Sequence, residues 1–134
     1  MHNELNCING MVLMFQKELG ERIISTENKK KYGRLSILAQ STFNITKEIH
    51  VKKENFKPAP KVDEIVLKFT PLKKKNKFNF NNLKKITNFF FNSKRKKVEK
   101  KIKKIFSTEQ IKNNNLEELY DLRAENISKE IYYK

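Results

Sequence analysis

Tryptophan is absent from these 134 residues, cysteine occurs once, at Cys7, and histidine twice, at His2 and His50. One thiol excludes a disulfide framework, and two histidines so far apart cannot supply the ligand spacing of a structural zinc site. Such cysteine usage suits a reducing compartment, and a cytoplasmic protein is expected. No apolar run approaches the length needed to cross a bilayer. The opening Met1-His2-Asn3-Glu4-Leu5 also lacks the basic-then-apolar order of a secretory signal, so no membrane partner is expected. Glycine is limited to Gly10, Gly20 and Gly33, too widely spaced for a phosphate-cradling loop. Nor does any Ser/His/Asp, Cys/His or paired-carboxylate pattern give a hydrolase reading a footing.

Acidic residues are scarce, 15 against 30 lysines and arginines, which leaves a net charge of +15. Most of the excess sits in residues 68 to 104, where Glu99 is the lone acid. A general bias toward lysine and asparagine accounts for the amount of lysine but not for its clustering. A block of one sign on a folded surface attracts a polyanion, because each phosphate neutralised releases counterions. Nucleic acid is therefore the expected partner.

The apolar run Met11-Val12-Leu13-Met14-Phe15 reads as a strand buried on both faces in a largely parallel sheet. Leu19, Ile23 and Ile24 mark the apolar face of one helix, and Leu35, Leu38 and Ala39 that of a second. Residues 44–51 alternate Ile45, Ile49 and Val51 with polar neighbours, and Ile65, Leu67 and Phe69 alternate again, so a hairpin-like strand pair is expected. Pro71 and the run Lys73-Lys74-Lys75-Asn76-Lys77 read as a hinge, beyond which the period turns helical. There Ile86, Phe89, Phe90, Val98, Ile102, Ile105 and Phe106 form an apolar stripe opposed by lysines, a basic amphipathic helix pair. Ser107 with Gln110, and Asn115 with Glu118, have the spacing of capping boxes opening two more short helices. The stripe is read as the core of a small bundle rather than as a membrane-binding face.

Between the two expected closing strands lies Phe56-Lys57-Pro58-Ala59-Pro60-Lys61-Val62-Asp63. Two prolines leave this loop little freedom and preset the direction of the ring. Phe56 can hold its face against a nucleobase, or it can plug the core beside the strand; the residues alone leave both open. Lys57 and Lys61 can reach phosphates on either side of an extruded base, and Lys94, Arg95, Lys96 and Lys97 form the densest basic cluster.

That loop resembles the base-binding loop of the ribosomal RNA adenine dimethyltransferase family. Four further blocks resemble the same family in the same order: Leu13-Met14-Phe15-Gln16-Lys17-Glu18, Lys31-Tyr32-Gly33-Arg34-Leu35-Ser36-Ile37-Leu38-Ala39-Gln40, Phe91-Asn92-Ser93-Lys94-Arg95-Lys96-Lys97 and Leu122-Arg123-Ala124-Glu125-Asn126-Ile127-Ser128. The resemblance covers only the C-terminal half of such an enzyme. The glycine-rich loop for S-adenosylmethionine and the Asn-Leu-Pro-Tyr type motif that holds the adenine have no counterpart here.

The resemblance implies an α/β fold, the rear part of a Rossmann-like methyltransferase sheet followed by a small all-helical C-terminal domain. Residues 1–72 would close the methyltransferase domain and residues 73–134 would form a basic rRNA-binding domain. Phe56 would stack on the target adenine, and the cluster at residues 94–97 would contact rRNA. Arg34 matches a patterned family segment, although a helix-borne arginine can equally pair with Glu18 or Glu21. Arg123, Glu125 and Asn126 also match, but read better as a capping and ion-pair device.

The expected activity is S-adenosylmethionine-dependent dimethylation of two adjacent adenosines near the 3′ end of small-subunit rRNA. The immature small ribosomal subunit is the expected partner and a monomer the expected state. This chain would be a C-terminal segment, inactive alone. The rivals are a non-enzymatic basic module for ribosome assembly and a relative acting on large-subunit rRNA.

Overall fold

The structure, a computed structural model, describes residues 8–73 and 77–134. Cys7 and His2, and Lys74, Lys75 and Asn76 of the expected hinge, lie outside the described residues. Strand β1 (Met11–Gln16) runs into helix α1 (Lys17–Ile24), then α2 (Arg34–Gln40), strand β2 (Phe43–Val51) and strand β3 (Glu64–Pro71). Helices α3 (Phe80–Phe91), α4 (Glu99–Ile105), α5 (Thr108–Asn113) and α6 (Lys129–Tyr133) follow, with 3-10 turns at Leu116–Leu119 and Ala124–Asn126.

The described sheet is antiparallel, in the order β1-β3-β2, and not the largely parallel sheet expected from the apolar run of β1, because β3 returns directly along both of its neighbours. Strand β3 takes the centre because its alternation is strict: Ile65, Leu67 and Phe69 are all buried and face α1. Phe15 and Phe43, from the two flanking strands, meet the Phe69 ring at 6.0 and 5.7 Å. A register shift between Lys47 and Ile49 breaks the expected alternation of β2. Ile45 packs on the sheet core, whereas Ile49 is exposed.

Strand β1 departs from expectation. It is not buried on both faces: Val12 is 63% and Met14 53% exposed. Among the described strands it pairs with β3 alone, so an unbroken apolar run stands at the rim of the sheet.

The helix faces also differ from the hydropathy reading. Leu19 is exposed, and Gly20 beside it turns toward the sheet, where only a residue without Cβ fits against Ile65. On α2, Leu35 is exposed while Ser36, Ile37 and Gln40 are buried. The Ser36 hydroxyl donates to the Arg22 carbonyl at 2.5 Å and accepts from the Gly33 N–H at 3.2 Å. The Gln40 amide donates to the Ile23 and Ser25 carbonyls, both at 2.9 Å, and its oxygen accepts from Lys129. Buried polar groups must be paired, and these pairs join α2 to α1 and α6.

One apolar cluster unites Tyr32 and Ile37 with Leu83, Phe90, Val98, Ile102, Ile127 and Tyr132. Three phenols, two buried and that of Tyr133 partly so, tie it to backbone: Tyr32 to Ile127, Tyr132 to Ala124 and Tyr133 to Ile37. Burial holds all three phenols above the usual tyrosine range.

The capping box of Ser107 and Gln110 forms as its spacing indicates, at 2.9 and 3.2 Å. The second expected box does not. Asn115 takes the left-handed conformation (φ 52°) and opens a single 3-10 turn without a side-chain cap.

Candidate nucleic-acid interface

Residues 52–63 form the hairpin loop between β2 and β3, and Asp63 closes its base. The Asp63 carboxylate accepts from the Lys53 N–H at 3.0 Å and pairs with the His50 ring at 2.9 Å, while its carbonyl accepts from the Lys17 N–H at 2.9 Å. One residue thus joins both loop stems and the start of α1. Inside the loop, Lys53–Asn55 make a single 3-10 turn whose last bond runs from the Phe56 N–H to the Lys53 carbonyl. The Lys57–Pro58 peptide is cis.

Phe56 is partly exposed and belongs to neither apolar cluster. Of the two readings the sequence left open, the core plug has no support in the packing. Lys57 and Lys61 are both exposed on the same loop.

The Lys53 backbone N–H, and after it the His50 ring, hold the Asp63 carboxyl below the usual aspartate range. A depressed folded-state value means the anchor is fully present above about pH 4, the ordinary aspartate value, and is lost as pH falls through the lower one. The NMR signal of the Lys53 amide is expected to hold its position from about pH 7 to about pH 4 and to move only below that. Asp63→Ala should displace it already at neutral pH while the amides of β3 stay put. A Lys53 signal that titrates above the ordinary aspartate value would contradict the anchor.

The second basic cluster lies in the turn after α3, where Ser93 adopts a positive φ of 70°. Lys94, Arg95 and Lys96 project into solvent and make no ion pair with any described residue. Lys97 is different, since its ammonium is paired with Asp121 at 2.6 Å and its backbone bridges to Arg123. Lys101 folds back onto the Phe90 and Asn92 carbonyls at the end of α3, and desolvation pulls its pKa below the usual lysine value. The adjacent face of α4 carries Lys101 and Lys104, each 5.9 Å from the centre of the Phe89 ring.

Arg34 pairs with neither Glu18 nor Glu21. Those carboxylates take Arg22 and Lys31, and the Arg34 guanidinium donates to the Thr87 hydroxyl and the Lys84 carbonyl of α3. The turn at Arg123 is a capping device with no ion pair among the described residues: the Asn126 side chain caps the Arg123 N–H and reaches across to Asn28. Sequence reasoning missed Asp63 and His50 as the clasp of the loop. Their 13-residue separation has no local signature, and only strand pairing brings them together.

No group of residues suited to a metal occurs among the described residues, and no described helix is long and apolar enough to cross a membrane. The sequence profile of the family described as ribosomal RNA adenine dimethylase matches residues 2–134. A ribosomal RNA small subunit methyltransferase A of Pelagibacter ubique is 39% identical over 129 residues, covering 94% of this chain and 48% of that protein. The protein of the same name from Borreliella burgdorferi is 38% identical over 128 residues, covering 95% and 45%. The chain thus spans about half the length of the curated relatives it matches.

Among solved structures, a dimethyladenosine transferase from Plasmodium falciparum is similar with a TM-score of 0.78 at 23% identity, over 93% of this chain and 55% of that one. The 23S rRNA methyltransferase ErmE is similar with a TM-score of 0.65 at 14% identity, over 93% and 52%. At such identities the two structures establish a shared α/β fold.

Proposed function

Because the chain belongs to the ribosomal RNA adenine dimethylase family, we propose that it is the C-terminal portion of an enzyme that dimethylates two adjacent adenosines near the 3′ end of small-subunit rRNA. In this reading S-adenosylmethionine is the methyl donor and the immature small subunit the partner. Residues 1–72 complete a Rossmann-like catalytic domain, and residues 73–134 form a helical rRNA-binding domain.

The observation that carries the reading is the clasped loop at residues 52–63. It presents a phenylalanine that the core does not use, between exposed lysines, on a frame fixed by three hydrogen bonds through Asp63. A base drawn out of its stack needs a flat partner, and the Phe56 ring supplies one. The exposed Lys94, Arg95 and Lys96 supply charge that positions RNA without reading its sequence. Arg34 has a lesser claim on RNA, because its guanidinium already bonds to α3.

The residues described do not fit the methyl donor. Gly10 lies against the Phe69 carbonyl, Gly20 is packed inside α1 and Gly33 precedes α2, so no described strand is followed by a glycine cradle. Donor binding is assigned to residues other than these, and this chain contributes the base platform and the RNA docking surface.

The experiment is methyl transfer from labelled S-adenosylmethionine to undermethylated small subunits. The 134 residues alone should transfer no label yet should be retained on the particles. Joined behind the cofactor half of a relative, they should transfer it. Label transferred by the chain alone would refute this division of labour, and failure to be retained would remove the docking role.

A further inference from the structure

Beside the Phe56 loop runs a groove of about 810 Å³, lined by Lys17, Lys31, Lys52, Lys53 and Lys61 together with four carboxylates. We propose that this groove carries the phosphate backbone of the rRNA strand flanking the target adenine, as a contact separate from the turn at residues 94–96. The proposal rests on the rRNA reading above and deepens it by giving the strand a path.

Internal pairing decides the sign of the groove. Of its acids, Glu18 is held by Arg22 at 3.1 Å, Glu21 by Lys31, and Asp63 by His50 at 2.9 Å. What remains is Glu54, together with Asp63 wherever the His50 ring carries no proton, against four lysines, none of which makes an ion pair with a described residue. Cations left over after local pairing are available to an external polyanion, and a concave surface concentrates their field.

The placement favours a nucleic-acid strand over a lone anion. Lys52 and Lys53 precede Phe56 and Lys61 follows it on one loop, while Lys17 is fixed to that loop through its N–H bond to the Asp63 carbonyl. All four backbone positions therefore lie on, or are bonded to, the loop that carries the ring. Flexible ammonium groups along a groove suit successive phosphates, which a strand provides and a single anion does not. They also carry no base preference, so choice of the adenine stays with the ring and the docking surface.

The test is the salt dependence of binding between the 134-residue chain and a fluorescein-labelled RNA hairpin copying the unmethylated 3′ end of small-subunit rRNA. The combined variant Lys17→Ala, Lys52→Ala, Lys53→Ala, Lys61→Ala should lower the steepness of log affinity against log salt by about 3, four contacts at about 0.7–0.9 each. The same four positions changed to arginine should keep the original slope, which separates lost charge from a disturbed fold. If the alanine variant keeps the original slope while Lys94→Ala, Arg95→Ala, Lys96→Ala lowers it, the groove is refuted and the rRNA reading survives. If the unaltered chain fails to bind the hairpin at low salt, both fall.

Discussion

Gly20→Val is expected to cost this protein about 3 kcal/mol, enough to lower its melting temperature by about 10 °C. In an exposed helix, exchanging glycine for alanine gains about 1 kcal/mol. Here a Cβ at position 20 would stand 2.3 and 2.4 Å from the Cδ1 and Cγ1 of Ile65, and 3.6 Å from the Phe15 Cβ. Ile65 is wholly buried at the centre of the sheet, so it cannot swing aside without disturbing its neighbours. Overpacking of about 1–3 kcal/mol outweighs the helix gain already for alanine, and valine adds two methyl groups. Gly33→Ala serves as control, since no atom lies within 4 Å of its added Cβ. Thermal unfolding of the three variants by circular dichroism decides the matter; a Gly20→Ala protein that melts above the original would show that α1 lifts from the sheet at no cost. A lifted α1 would also pull Lys17 from Asp63 and loosen the loop that the proposed function depends on.

The second large effect is catalytic. Phe56→Ala, made in the complete enzyme, should reduce methyl transfer by about 5- to 150-fold, the equivalent of about 1–3 kcal/mol of stacking on one base. Its thermal stability should stay within about 0.5 kcal/mol of the original, because Phe56 lies outside both apolar clusters. Retention on undermethylated small subunits should barely change, since docking is assigned to charge elsewhere. Phe56→Tyr keeps a ring face and should keep most of the rate. Rates for the alanine variant within a factor of two of the original would remove the stacking role, whereas a comparable loss of stability would return Phe56 to a place in the core.

Much of this fold is legible because the signals are short-range. The alternation of Ile65, Leu67 and Phe69 marks β3, the Ser107 and Gln110 spacing marks the start of α5, and the three- and four-residue stripe marks α3 and α4. The misreadings share a cause. Hydropathy ranked Leu19 above Gly20 and Leu35 above Gln40, yet Gly20 and Gln40 are the buried ones. A glycine is buried for the room it leaves, and a glutamine for three hydrogen bonds, to two backbone carbonyls and a lysine 15 to 89 residues away in the chain, which only folding brings near. Likewise Arg34 was weighed against carboxylates one helix away, while its partners came from α3, about fifty residues on.

Charge, the absence of a cofactor loop and the stiff Phe56 loop were determined by the sequence itself, since each depends on residues that are neighbours in the chain. Which charges are free was decided by the tertiary structure. Four basic residues in succession, Lys94, Arg95, Lys96 and Lys97, look alike in charge, but Lys97 pairs with Asp121 and the other three face solvent. The same holds at the loop, where Asp63 becomes a clasp because the pairing of β2 with β3 brings His50 and Lys53 to it. Composition sets how much charge and apolar surface a chain carries; only chain reversals set which groups meet, and an exposed pair such as Lys97 with Asp121 binds its partners only weakly.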